Sequence, residues 1–324
     1  MVMDNDMETN TMSDTMTDTM TDTDIDNKPY KIKHLVFSGG GPAGLITYGA
    51  VKYLSKENVW SINDIKSIYG TSIGAFIGII VSLGYEWEWL DDYIIKRPWN
   101  KVMSLTAQTI LDAFEYKGLF GEKFVLESLK PLLSAKDLNE QCTLSELYEF
   151  NHIDIHIYST NINSSRLEKV DISHKTHPNL SVIKALYMSI SYPLAFRPIC
   201  VGDDCFIDGG LLNNYPLNDC LEQTECHKNE VLAFKNIWSS TTAGEKVTNE
   251  SSIIDYMVTL IKKMHCEICT EEKQEDIMNT VKCNVGVLGF NEWITVLSTE
   301  EARGSLIEQG EEQGKVFFLK NTNP

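Results

Sequence analysis

Two short stretches of this sequence set a reactive side chain among glycines. Gly70-Thr71-Ser72-Ile73-Gly74 places a serine between two of them, and Asp208-Gly209-Gly210 places an aspartate before two more. A hydroxyl with a carboxylate in reach can attack a carbonyl, the carboxylate taking the proton as the oxygen closes on carbon. The spacing around Ser72 has a steric cause. A serine lifted on a cramped strand-to-helix turn needs neighbours without a Cβ, and the following helix aims its positive end at the charge developing on the substrate. Each motif also has a plain alternative: a glycine-rich turn with a helix-capping serine, and an ordinary Asp-Gly turn.

A third cluster raises the chemical reading. Residues 38–44 read Ser-Gly-Gly-Gly-Pro-Ala-Gly, and Gly39, Gly40 and Gly41 offer consecutive N–H groups suited to an oxyanion hole. A phosphate-binding P-loop would end in Gly-Lys-Ser or Gly-Lys-Thr, whereas this loop ends Pro42-Ala43-Gly44-Leu45. A dinucleotide fingerprint fits poorly too, since Pro42 intrudes and no clear acidic residue closes a second strand. A serine usually takes histidine as its base. Of the seven histidines, only His227 and His265 follow Asp208 in a Ser, Asp, His order, and neither has a distinctive setting. A Ser72–Asp208 dyad fits better than a triad.

The elements that must position these residues alternate. A short apolar strand over 34–37 precedes the glycine loop, and a helix over 45–54 follows it. A second strand over 65–69 leads into the serine turn, followed by a buried helix over 75–83. Helical periodicity recurs over 122–133, 144–150 and 182–191, the last ended by Tyr192-Pro193. Strands are expected over 153–159, 167–172, 199–201, 205–207 and 231–237, with an amphipathic helix over 253–268 and a closing helix over 305–319. Such alternation predicts one α/β domain over 29–324 with a mostly parallel sheet and helices on both faces.

Residues 1–28 carry eight acidic groups against Lys28 and have no helical or strand period, so an acidic Thr/Met/Asp-rich disordered tail is expected. The chain as a whole has a net charge of −18, which disfavours nucleic-acid binding. Eight irregularly spaced cysteines do not form a disulfide scaffold, and the lone C-x-x-C at Cys266 and Cys269 lacks the partners of a zinc site. With neither a secretory start nor a run of about 18 apolar residues, a cytoplasmic location is expected, with peripheral membrane contact open. Trp87, Trp89, Tyr93, Ile94, Ile95 and Trp99 form an apolar group that either dips into a lipid interface or packs as core, with core favoured.

Taken together, the glycine loop at 38–44, Gly-Thr-Ser-Ile-Gly at 70–74 and Asp-Gly-Gly at 208–210 resemble the patatin-like phospholipase family. Thr143-Leu-Ser-Glu-Leu-Tyr148, Ser159-Thr-Asn161, Tyr192-Pro-Leu-Ala-Phe196, the run from Asp208 to Pro216 and Leu306-Ile-Glu-Gln-Gly310 are similar to family features. The resemblance covers roughly residues 32–320. It implies a lipid acyl hydrolase working through Ser72 and Asp208 without histidine, and an oxyanion hole that adds the N–H of Ile73 to those of Gly39, Gly40 and Gly41. The substrate it implies is a phospholipid or other acyl lipid, and it calls for no metal or cofactor. One departure is Ala43, where the family loop usually carries Arg or Lys. That leaves a catalytically silent lipid- or partner-binding relative as the alternative.

Overall fold

The computed structural model describes residues 30–103, 106–238, 246–251, 276–285 and 295–322, with parts of 252–264. The expected tail over 1–28, His265 and the Cys266–Cys269 pair lie outside the described residues, as does much of the expected helix over 253–268.

The chain opens with β1 (His34–Phe37), α1 (Gly44–Lys56), β2 (Ser67–Thr71) and α2 (Ile73–Ser82). A helical stretch follows: α3 (Trp87–Lys96), α4 (Trp99–Val102), α5 (Ala107–Tyr116), the short β3 (Gly118–Phe120), α6 (Lys123–Ser134) and α7 (Leu144–Asn151). Next come β4 (Asp154–Asn161), β5 (Glu168–Ile172), α8 (Val182–Ile190), β6 (Leu194–Phe196), β7 (Ile199–Val201) and β8 (Asp204–Asp208). The last part holds α9 (Gly210–Asn213), α10 (Leu217–Thr224), β9 (Val231–Trp238), β10 (Thr280–Val285) and α11 (Glu300–Thr322). Thr143 explains one sequence feature: its hydroxyl accepts from the Glu146 N–H while Glu146 reaches back to the Thr143 N–H, a capping box that starts α7.

Among the described residues, eight strands form one sheet in the order β10-β9-β1-β2-β4-β8-β7, with β5 also paired to β4. The five from β10 to β4 are parallel. β5 and β8 run antiparallel to β4, and β7 antiparallel to β8. The antiparallel end has a simple origin. Only Gly202 and Asp203 separate β7 from β8, and so short a turn reverses the chain. The fold is thus α/β with a mostly parallel sheet between two helical layers, as the alternation predicts.

The strand period of two divides the core. Leu35, Phe37, Ile68, Leu232 and Phe234 enter a large cluster with residues of α1, α2, α6, α8 and α11. Val36, Tyr69, Val231 and Ala233 enter a smaller one with Tyr215, Leu217 and Cys220. In the apolar group after α2, Ile94 and Trp99 are buried and Trp87 is half-buried against the core, so it serves mainly as packing. Trp89 is the exception at 43% exposed, stacked on Tyr85 and Tyr93.

α1 and α11 meet through glycine. A Cβ on Gly49 would overlap the Ile307 carbonyl, and one on Gly310 would overlap the Ile46 carbonyl. Above this contact, Lys52 is buried and pairs with Asp91 at 2.7 Å and with Glu311. Gly310→Ala gains about 1 kcal/mol of helix propensity, yet the methyl has no room unless the helices separate. We therefore expect a net loss of about 1–3 kcal/mol, the usual cost of overpacking, measured by urea unfolding. A neutral or stabilising substitution would contradict this packing.

Candidate active site

Strand register brings the distant motifs together. Gly70 and Thr71 of β2 pair with Ile157 and Tyr158 of β4, and Ser159, the next residue of β4, pairs with Asp208. On the other side Phe37 pairs with Gly70. The chain after β1, the turn after β2 and the end of β8 therefore stand at one level of the sheet, at the carboxyl ends of its parallel strands.

Ser72 sits in the turn between β2 and α2 with φ 54° and ψ −124°, a backbone state that costs a non-glycine residue about 1–3 kcal/mol. The flanking glycines are steric requirements. A Cβ at Gly70 would lie 2.7 Å from the Gly74 carbonyl oxygen, and one at Gly74 would lie 2.5 Å from that of Phe37. The Ser72 hydroxyl donates to Asp208 Oδ2 at 2.7 Å. The other carboxylate oxygen, Oδ1, accepts the Gly210 N–H at 2.7 Å. Gly209 is held against the Tyr158 carbonyl, where a side chain has no space.

Asp208 is buried. Desolvation raises its pKa, and the hydrogen bonds from Ser72 and the Gly210 N–H hold it back, leaving it at about 6. No cation appears among the causes of that shift. The carboxyl is thus a stronger proton acceptor than an ordinary aspartate while still ionised at neutral pH.

Beside the serine, the glycine loop turns into α1. Gly41 has φ +54° and open space where a Cβ would be. A Cβ at Gly40 would lie 2.6 Å from Asn236 Nδ2, and one at Gly44 would run into the Ile73 side chain. Gly39 departs from its expected part as an oxyanion donor. Its N–H is engaged by the Asn214 carbonyl at 2.9 Å, and its bare Cα lets the loop pass close to Ser72. The N–H groups of Gly40, Gly41 and Ile73 donate to no acceptor among the described residues. Ala43 is fully buried in the loop, so no cation stands there.

Nothing in the sequence marks Asn236. It lies on β9, donates from Nδ2 to the Gly39 carbonyl at 3.0 Å and accepts from the Thr47 hydroxyl at 3.0 Å, while its own N–H donates to the Ser38 hydroxyl at 2.8 Å. It props the glycine loop from the side. Nothing in the sequence marks Ser189 either: its Oγ accepts the Ser72 N–H at 2.8 Å. Both are common polar residues without a local motif, so only the fold reveals them.

The described histidines are occupied elsewhere. His227 is exposed and caps a short turn through the Asn229 N–H, just before β9 starts, at the sheet end opposite Ser72. His156 is buried between Asp154 and Asp171. Burial alone would lower its pKa, but the hydrogen bonds and charges of the two carboxylates outweigh it and raise the value to about 9. It stacks on Tyr69 as a paired structural cation. Among the described residues, no histidine hydrogen-bonds Ser72.

Comparison with known proteins gives the arrangement a family. The probable lipid hydrolase 463L of Invertebrate iridescent virus 6 is 27% identical over 194 residues, covering 59% of this chain and 64% of that protein. The uncharacterized protein R571 of Acanthamoeba polyphaga mimivirus is 29% identical over 197 residues, covering 60% and 64%. The chain thus spans just under two thirds of the length of these relatives. The crystal structure of VipD from Legionella pneumophila is similar with a TM-score of 0.46 and 15% identity, over 89% of this chain and 66% of that one. The patatin-like phospholipase profile matches residues 35–221, a span that runs from β1 through the serine turn and the Asp-Gly-Gly segment into α10. With more than half of its length in that match, the chain belongs to the patatin-like phospholipase family.

Proposed function

We propose that the chain is a lipid acyl hydrolase in which Ser72 is the nucleophile and Asp208 its base, within a single catalytic domain over residues 29–324. The observation that carries this reading is the 2.7 Å hydrogen bond from Ser72 Oγ to a buried carboxylate, beside backbone N–H groups that face no other acceptor. Family membership and the iridescent-virus relative, a probable lipid hydrolase, support an acyl lipid, foremost a phospholipid, as the substrate class.

Asp208 takes the Ser72 proton as Oγ attacks the acyl carbonyl. The oxyanion that forms is met by the N–H groups of Gly40, Gly41 and Ile73, each such donor being worth about 3–4 kcal/mol to the transition state. Collapse breaks the ester bond, and the proton on Asp208 passes to the departing alkoxide. Water then attacks the acyl group on Ser72, Asp208 accepting its proton; the bond from the acyl carbon to Ser72 Oγ breaks, Asp208 returns the proton to Oγ, and the fatty acid leaves. The steps balance with protein groups and water alone. Lipid is reached by peripheral contact; among the described residues no helix is long and apolar enough to cross a membrane.

The direct test is labelling with a fluorescent phosphonate that traps serine hydrolases, with the adduct mapped by mass spectrometry. Ser72 should carry it in the wild type, Ser72→Ala should not label, and Asp208→Asn should label far more slowly. An unlabelled, folded wild type would favour the silent lipid- or partner-binding relative.

Because the base must be ionised, kcat/KM should fall as pH drops through about 6, roughly two pH units above the limb of an unperturbed aspartate. His227→Ala should keep most activity; a collapse would restore the histidine-dependent reading.

Asp208 also links pH to stability. Its folded pKa lies above the unfolded value, so the native state binds the extra proton and stability decreases as pH rises from about 4 to about 6. Replacing the charge by Asp208→Asn should therefore stabilise the fold at pH 8 by about 2–3 kcal/mol and have little effect at pH 4. Urea unfolding at the two pH values checks it, and equal effects at both would contradict the raised pKa.

A further inference from the structure

The strained backbone of Ser72 requires something to hold it. A residue at φ 54° and ψ −124° relaxes toward an ordinary turn unless its surroundings oppose the change. The glycines around it permit the conformation without enforcing it. The Ser72 carbonyl accepts the N–H groups of Ala75 and Phe76 from the start of α2, and the neighbouring Thr71 hydroxyl donates to the Asn213 carbonyl at 2.7 Å, while the Ser72 amide is gripped from outside the turn: its N–H donates to Ser189 Oγ at 2.8 Å.

Ser189 is suited to this task. It is fully buried in the last turn of α8, and its hydroxyl donates in turn to the Tyr158 carbonyl at 2.6 Å. A hydroxyl has one proton to give and lone pairs to receive, so Ser189 acts as donor toward β4 and acceptor toward the serine turn at once. Tyr158 lies on the strand between β2 and β8, which makes the bond a strut between the sheet and the turn.

The same helix end also holds the aspartate. The last carbonyls of a helix have no partner within it, and at the end of α8 they are met from β8. Asp208 donates its N–H to the Ser191 carbonyl at 3.0 Å, and Gly209 donates to the Ser189 carbonyl at 3.3 Å. One helical turn thus fixes the backbone on both sides of the Ser72–Asp208 contact. It also takes the Ser72 N–H out of the set that faces substrate, leaving Gly40, Gly41 and Ile73.

We infer that Ser189 is a positioning residue, whose hydroxyl pins the Ser72 amide in its strained turn and thereby aims Ser72 Oγ at Asp208. The inference rests on the proposed Ser72–Asp208 chemistry and adds a residue that touches neither substrate nor the transferred proton. Without the hydroxyl, the Ser72 N–H and the Tyr158 carbonyl both lose a buried partner. The turn relaxes, and the hydroxyl bond to Asp208 lengthens or breaks. That bond is one of the two that lower the Asp208 pKa, so its loss moves the base upward.

The experiment compares wild type, S189A, S189C and S189T on a soluble p-nitrophenyl ester, following kcat, KM and the pH dependence of kcat/KM. S189A should lose about 10–100-fold in kcat with KM within about twofold, the scale expected when reacting groups are misaligned by up to an ångström. Its acid limb should move above the wild-type position. S189C, similar in size but a poor acceptor and donor, should behave like S189A. S189T keeps the hydroxyl and should recover most of kcat and the wild-type limb. A folded S189A or S189C with wild-type kcat, or with reduced kcat and an unmoved acid limb, would overturn the inference. So would an S189T that folds yet matches S189A. Should S189A fail to fold, S189C and S189T still decide. Phosphonate labelling of wild-type Ser72 comes first: its absence would remove the parent reading, whereas labelling with an unaffected S189A would remove only this one.

Discussion

The hydrogen bond between Ser72 Oγ and Asp208 Oδ2 joins side chains 136 positions apart in the chain, and much of the fold is arranged around that contact. Neither residue is near the other through local structure. β4 stands between their strands, and register alone puts the end of β2 and the end of β8 at the same height on it. A slip of one residue in either pairing would send the side chain to the other face of the sheet. The buried aromatic and aliphatic side chains of both clusters make such a slip costly, so the core protects the alignment as well as the fold.

Close backbone approach is the second constraint. Gly70 and Gly74 let the serine turn fold back on itself and on β1, and Gly209 lets the aspartate segment lie against β4. These contacts leave the carboxylate in a dry setting whose partners are a hydroxyl and one amide. Burial without a cation would normally be a liability for an aspartate. Here it raises proton affinity toward the range in which a carboxylate can act as base near neutral pH. The fold bears a modest electrostatic cost at the one position where the proposed chemistry calls for a base.

The parts of this arrangement legible in the sequence are those where geometry leaves no choice of residue. Glycine is demanded around Ser72 and after Asp208, and the strand and helix periods beside those motifs are strong because both flanking elements are buried. The α/β class and the outline of α1, β2, α2, α8 and α11 follow from the same signals. The props were hidden for the opposite reason. Asn236 and Ser189 act through ordinary polar groups delivered by elements far away in sequence, and nothing local marks them, while Asn214 sits in the Asp208–Pro216 run but acts only through its backbone carbonyl. Gly39 is legible as a glycine but not in its task, since Asn214 takes the N–H that its place in the loop offers. β3 and β6 escaped notice because three-residue strands carry almost no period, and the turns before Phe120 and after Tyr192 hide what remains.

The glycine seam between α1 and α11 reaches beyond packing, to the order in which the molecule can be made. α1 ends at Lys56 and its partner does not begin until Glu300. At about 5–20 residues per second of synthesis, the first helix waits on the order of ten seconds or more after leaving the ribosome. During that wait the face of α1 around Gly49 lacks the cover that α11 gives, although the strand–turn–helix unit holding Ser72 has already emerged. The segment that carries Ser72 thus emerges early, while the face of α1 beside it is closed last. A nascent chain stalled before α11 is the species for which chaperone capture and premature association compete most strongly with folding.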